Sequence, residues 1–102
     1  MTTQTIAGAI MEQLGNGNGR GFWHMIGGKD IVTIEKGVQF GFPKAKQGIN
    51  KVVITLNCHD TYDLHFWRIT ATQCKEIVGV GDIYNDQLAD IFTDITGLAT
   101  HL

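Results

Sequence analysis

The chain has 102 residues, of which 43% are hydrophobic and 18% charged, and a formal net charge of −2. That length suits one domain able to bury a modest core without disulfides or metal. The balance excludes a long disordered chain and a uniformly basic nucleic-acid binder.

Residues 3–14 have the pattern of a short helix: Ile6, Ile10 and Leu14 recur every four positions, and Met11 widens the stripe. Thr3 or Thr5 suits its start and Gly15 the left-handed position past its end. Glycine then fills every second place from Gly15 to Gly21, and Gly27 and Gly28 precede Lys29. This run fails both phosphate-loop tests. A dinucleotide loop needs GxGxxG between a strand and a helix, but its third glycine would fall on Arg20 or Phe22, and the run follows a helix. A P-loop ending at Gly28-Lys29 would need glycine at Trp23 and Ser or Thr at Asp30. The stretch is read as a flexible connection, with Arg20, Phe22 and Trp23 as its candidate contact residues.

Strand character follows at about 22–26 (FWHMI), 31–35 (IVTIE), 38–42 (VQFGF), 51–57 (KVVITLN) and 62–69 (YDLHFWRI), with a weaker sixth segment at 75–81. Lys36-Gly37 stands at hairpin spacing, with glycine expected to take positive φ. "GFPKAKQGINK" reads as a surface loop carrying Lys44, Lys46 and Lys51. "NCHDT" reads as a four- or five-residue hairpin loop held by an Asx-type turn at Asp60. The last element is a helix capped by Asp82 or Asn85, with Tyr84, Leu88, Ile91, Phe92 and Ile95 on one face. Gly97 should close it, with Leu98 folding back in a Schellman contact.

Alternation sets the faces of the strands. Val38, Phe40 and Phe42, Val52, Ile54 and Leu56, and Tyr62, Leu64 and Phe66 make three inward rows. The expected fold is therefore α+β: an antiparallel sheet of four to six strands in a single domain over 1–102, with an N-terminal and a C-terminal helix packed on one face. The reverse face carries Val53, Thr55, Asn57, Asp63, His65, Trp67 and Ile69, a rich set for a face left to water.

The candidate chemistry divides by place. Cys58-His59-Asp60 offers a thiol, an imidazole and a carboxylate. Neighbouring Cys and His point to different sides of an extended chain, however, and His24, His65, His101 and Cys74 lack ligand spacing. No catalytic, metal or cofactor role and no small-molecule substrate is inferred. Neither cysteine lies in a CxxC, so both read as reduced thiols. His65 and Trp67, with Thr55 beside them, suit three occupants. These are another segment of the chain such as 22–26, a protein partner, or the bases of a single-stranded nucleic acid. Asp86, Asp90 and Asp94 form an acidic ridge at i, i+4 and i+8, which suits either plain solvent or a basic partner. Charge is also uneven along the chain. Arg20 to Lys51 carries six basic and two acidic residues, and Val52 onward carries seven acidic and two basic ones.

The stretches "QLGNGNGRGF", "GGKDIVTIEKGVQFGF", "GINKVVITLNCHDTYDLHFWRI" and "VGDIYNDQLADIFTDITGLATHL" cover most of the chain. Their pattern, INxVxITLNxxDTYDLxF followed by YNDQL and TGL, resembles a family of small phage- and prophage-encoded proteins that brings no established activity. The resemblance implies a bacterial or phage cytoplasmic setting and supplies no catalytic residues. A cytoplasmic place is also expected from the N-terminal "MTTQTIAGAIMEQLG", which lacks a secretion signal, and from the lack of any apolar run near the about 20 residues of a membrane span. The expected function is macromolecular binding rather than catalysis: protein contact or self-association through the open sheet face, as a modulator of a host system. A nucleic-acid module using that face and the lysine loop, and a homo-oligomeric structural protein, are the alternatives.

Overall fold

A computed structural model describes residues 8–10, 14, 28–43 and 45–98 of the chain. Among the described residues five strands form one antiparallel sheet whose spatial order is the order of the sequence. They are β1 (Lys29–Ile34), β2 (Gly37–Gly41), β3 (Lys51–Leu56), β4 (Tyr62–Ile69) and β5 (Cys74–Ile83). A 3-10 turn at Asn85–Gln87 leads into one α-helix, α1 (Leu88–Thr96). Of the helix expected over 3–14, residues 8–10 and 14 are described and are helical, and Ile10 and Leu14 are fully buried. The glycine run and the expected 22–26 strand lie outside the described residues, save for Gly28.

The inward rows are as alternation requires. Val38, Phe40, Phe42, Val52, Ile54, Leu64 and Phe66 have no exposed surface, Tyr62 keeps 7%, and Leu56 packs at the edge of the same cluster. The register explains this continuity, because Val38 faces Ile54, Ile54 faces Leu64 and Leu64 faces Val80. Helix α1 closes the layer. Leu88 and Phe92 are fully buried, and the Phe92 ring lies 5.6 Å from Phe42, 6.2 Å from Phe66 and 6.3 Å from Phe40, centroid to centroid. Such tilted and edge-on ring pairs add to the area they bury.

Each connection has its own chemistry, and several differ from the expectation. At the β1–β2 turn it is Lys36, with φ 56, that takes the left-handed conformation, and Gly37 does not. Gly37 is there for space, because a Cβ on it would run into the Ile54 carbonyl oxygen. In the β3–β4 loop the Asx residue is Asn57 rather than Asp60. Its Oδ1 accepts the His59 amide at 2.8 Å and the Thr61 amide at 3.3 Å, while Asp60 takes φ 60.

The last helix starts later than expected. Tyr84 is 62% exposed instead of lying on the apolar face, and its amide donates to the Gln87 Oε1 at 3.2 Å. Asp82 does not cap the helix, because its carboxylate is engaged at the β3–β4 loop. At the far end Gly97 takes φ 77 and its amide donates to the Thr93 carbonyl at 2.7 Å. Leu98 packs against the core, but its amide goes to the Thr96 hydroxyl at 3.1 Å, so the Schellman contact is present in its apolar part alone.

Asn50 carries the β2–β3 connection. Its side chain extends the β3–β4 ladder like one more strand residue: Oδ1 accepts the Ile69 amide and Nδ2 donates to the Ile69 carbonyl, both at 2.8 Å. Its own amide donates to the Trp67 carbonyl at 2.9 Å, and its carbonyl accepts the Phe42 amide at 3.0 Å. Asn50→Ala strips two half-buried backbone groups of their partners. A loss of about 1–3 kcal/mol is expected in urea unfolding, with an unchanged slope. Asn50→Asp should not rescue this loss, because the oxygen that replaces Nδ2 would face the Ile69 carbonyl with no proton to donate.

Candidate functional site

The face of the sheet opposite Phe92 is built by the complementary set of strand positions. One row across it reads Lys29, Gly41, Lys51, Trp67, Glu76. The next reads Val32, Gln39, Val53, His65, Gly79, and the third Ile34, Gly37, Thr55, Asp63. None of the described residues covers this face. Val53, Thr55, His65, Trp67 and Ile69 are all half-buried, and Val32 is 46% exposed. The three expected site residues Thr55, His65 and Trp67 thus stand together on neighbouring strands.

Relief on this face comes from glycine. Gly41 leaves β2 low on one side of β3, and Gly79 and Gly81 leave β5 low beyond β4. A recess of about 400 Å³ opens over Gly41, walled by Lys29, Val32, Gln39, Asn50, Lys51 and Ile69. A shallower one of about 210 Å³ runs along Trp67 between Val53, Ile69 and Cys74. Beside it the His65 Nδ1 lies 2.6 Å from the Glu76 Oε1. Both side chains are more than 40% exposed, at 45% and 42%, so the pair contributes little to stability. It fixes the imidazole above Gly79, whose missing side chain leaves the room: a Cβ there would stand 3.4 Å from the same ring nitrogen.

The corner beyond Thr55 is polar and self-satisfied. Asn57 Nδ2 donates to Asp63 Oδ1 at 3.1 Å and to Asp82 Oδ1 at 3.3 Å, and the Thr61 hydroxyl lies 3.2 Å from that Asp82 oxygen. The Asp82 amide closes the set on Asp63 Oδ1 at 3.3 Å. Burial pushes the neighbouring Tyr62 phenol above its ordinary pKa, and the Asp60 carboxylate adds to the rise. These carboxylates hold the β3–β4 loop against β5.

Other candidates fall elsewhere. Cys58, His59 and Asp60 are exposed on the loop, and both cysteines are free thiols. Among the described residues, no three His, Cys, Asp or Glu side chains are grouped to hold a metal ion. Asp86, Asp90 and Asp94 are exposed. They belong to the α1 side of the sheet, so the acidic ridge and the open face look in opposite directions. Arg20, Trp23 and Lys44 lie outside the described residues. Lys29, Gln39, Gly41 and Glu76 are members of the face that sequence patterning did not single out. Alternation along β2 gives Gln39 and Gly41 as the complement of its inward row, whereas Lys29 and Glu76 lie past register shifts that break the alternation.

No family model, no curated protein and no solved structure matches the chain. No helix among the described residues is long and apolar enough to cross a membrane.

Proposed function

We propose that this is a binding protein that works through protein contact at the open sheet face, in the manner of a small phage or prophage protein that modulates a host system, with no catalytic step of its own. One observation carries the reading: the strip of Val32, Val53, Trp67 and Ile69, lying on a rigid sheet, keeps exposed apolar surface. An aromatic anchor flanked by aliphatic groups and rimmed by polar ones is the usual composition of a protein interface core. The core side of the sheet supplies the rigidity. In this reading the helix over 3–14 lies beside α1 on that side, as the burial of Ile10 and Leu14 within the same apolar cluster supports. Nucleic acid is the weaker occupant. Lys29 and Lys51 line up with Trp67, but Asp63 and Glu76 stand on the same face and would repel phosphate.

The test is site-specific photocrosslinking in cells that make the protein, with a benzophenone side chain at Gln39 on the face and, separately, at Asp90 on the acidic ridge. Irradiation should give a discrete protein adduct from position 39 and little from position 90. Adducts to nucleic acid from position 39, or protein adducts mainly from position 90, would overturn the reading.

A further inference from the structure

The open face is complementary to itself, and we propose that its occupant is a second copy of this chain, related by a two-fold axis that runs along β3 between two stacked sheets. The proposal rests on the reading of that face as a protein-contact surface.

The argument comes from the register. A two-fold axis parallel to β3 and lying in the interface sets β1 of one copy over β5 of the other and β2 over β4, while each row of side chains meets the same row of its partner. In the first row this brings Trp67, the largest group on the face, over Gly41, where the recess of about 400 Å³ lies open. The same operation sets Lys29 opposite Glu76, at both ends of the dimer. The largest raised group of β4 therefore meets the open glycine of β2, and Lys29 meets Glu76 of the opposite charge. Along the axis Val53 meets Val53, Thr55 meets Thr55 and Lys51 meets Lys51; Lys51 stands at the end of β3, where its stem can lie on the partner while its ammonium turns to water, away from its like-charged copy. Two sheets stacked in this way keep their strand directions within about 30°, the ordinary aligned packing. A face related to itself by this axis is closed at two copies, which leaves no further site for a third.

Sedimentation equilibrium across a wide concentration range tests it. Wild type is expected as a monomer–dimer equilibrium. Lys29→Glu and Glu76→Lys each place like charges together at two symmetric positions, and each should weaken self-association about tenfold or more. An equimolar mixture of the two variants should restore association to the wild-type strength, because every crossed contact is again between opposite charges. Gly41→Leu fills the recess at a position with no positive φ, where a Cβ would meet ordinary contacts of 3.4 Å or more. It should fold and sediment as a monomer. Circular dichroism of each variant separates loss of contact from loss of fold.

A wild type that is monomeric at every concentration overturns the second copy. A dimer indifferent to Gly41→Leu and to the charge pair overturns this face as its contact. If position 39 then crosslinks to a protein of different mass, the protein-contact reading stands and the self-association proposal falls. A monomer that gives no protein adduct removes both.

Discussion

Phe92→Ala should cost about 3–5 kcal/mol and leave the protein largely unfolded or close to it at 37 °C. Among the described residues Phe92 is the one ring that meets Phe40, Phe42 and Phe66 together, and it has no exposed surface. Removing it takes away the helix's main contact with the sheet and leaves a void bounded by three stiff aromatics from β4 and the β2 side. Those rings cannot collapse into the space without dragging their strands. Thermal melting followed by circular dichroism is the check, with a drop of roughly 15–30 °C expected from that energy in a domain of this size. Ile91→Ala, one position earlier and half-buried, should cost much less. Equal losses at 91 and 92 would mean that α1 is not docked in the orientation described.

Gly37→Val is expected to destabilise by about 3 kcal/mol or more, and the reason is backbone rather than side chain. The added Cβ would point at the Ile54 carbonyl oxygen and the Thr55 Cα. A side chain can rotate away from a clash, but a strand held in a ladder cannot. Either β2 separates from β3 or the pairing slips, and a slip of one residue would turn Val38 and Phe40 out of the core. Lys36→Gly, at the neighbouring position with φ 56, should do the opposite and hold or raise the melting temperature, because glycine adopts that conformation without strain. Urea unfolding of the pair separates the two demands. If Gly37→Val were neutral, the close approach of β2 to β3 would be wrong.

The two glycine demands show what local sequence can and cannot tell. Lys36-Gly37 marks a turn correctly, because glycine between two β-prone runs seldom means anything else. Which residue bends and which makes room depends on how closely β3 lies, and β3 starts well downstream at Lys51. Faces were legible for the same reason that turns were: alternation is a property of neighbours, so Val52, Ile54, Leu64 and Phe66 could be placed inside and His65 and Trp67 outside. The β5 strand was read as short and weak. Its pairing with β4 shifts register between Tyr62 and Leu64 and again between Phe66 and Trp67, and each shift breaks the period-two signal. The His65–Glu76 contact depends on those same shifts and was hidden with them. Asn57 and Asp60 were both plausible turn residues by type. Asn57 won because it alone brings a donor as well as an acceptor to a corner that already holds the Asp63 and Asp82 carboxylates. Tyr84 was drawn onto the apolar face by helical spacing, but the helix does not begin until Leu88, so the spacing did not apply to it.

The strand order has a consequence for how the chain comes together. Every strand pairs with its immediate neighbour in sequence, so each hairpin can close as soon as its second arm leaves the ribosome, and such near-diagonal pairing is quick to form. The apolar side of those hairpins finds one part of its cover early, in Ile10 and Leu14, and the other part late. Phe40 and Phe42 must wait for Phe92, which lies downstream of all five described strands. A growing chain therefore carries a sheet with a half-covered apolar underside until Leu88 and Phe92 emerge. That interval, rather than any slow pairing step, is when a nascent copy is most open to chaperones or to a wrong neighbour.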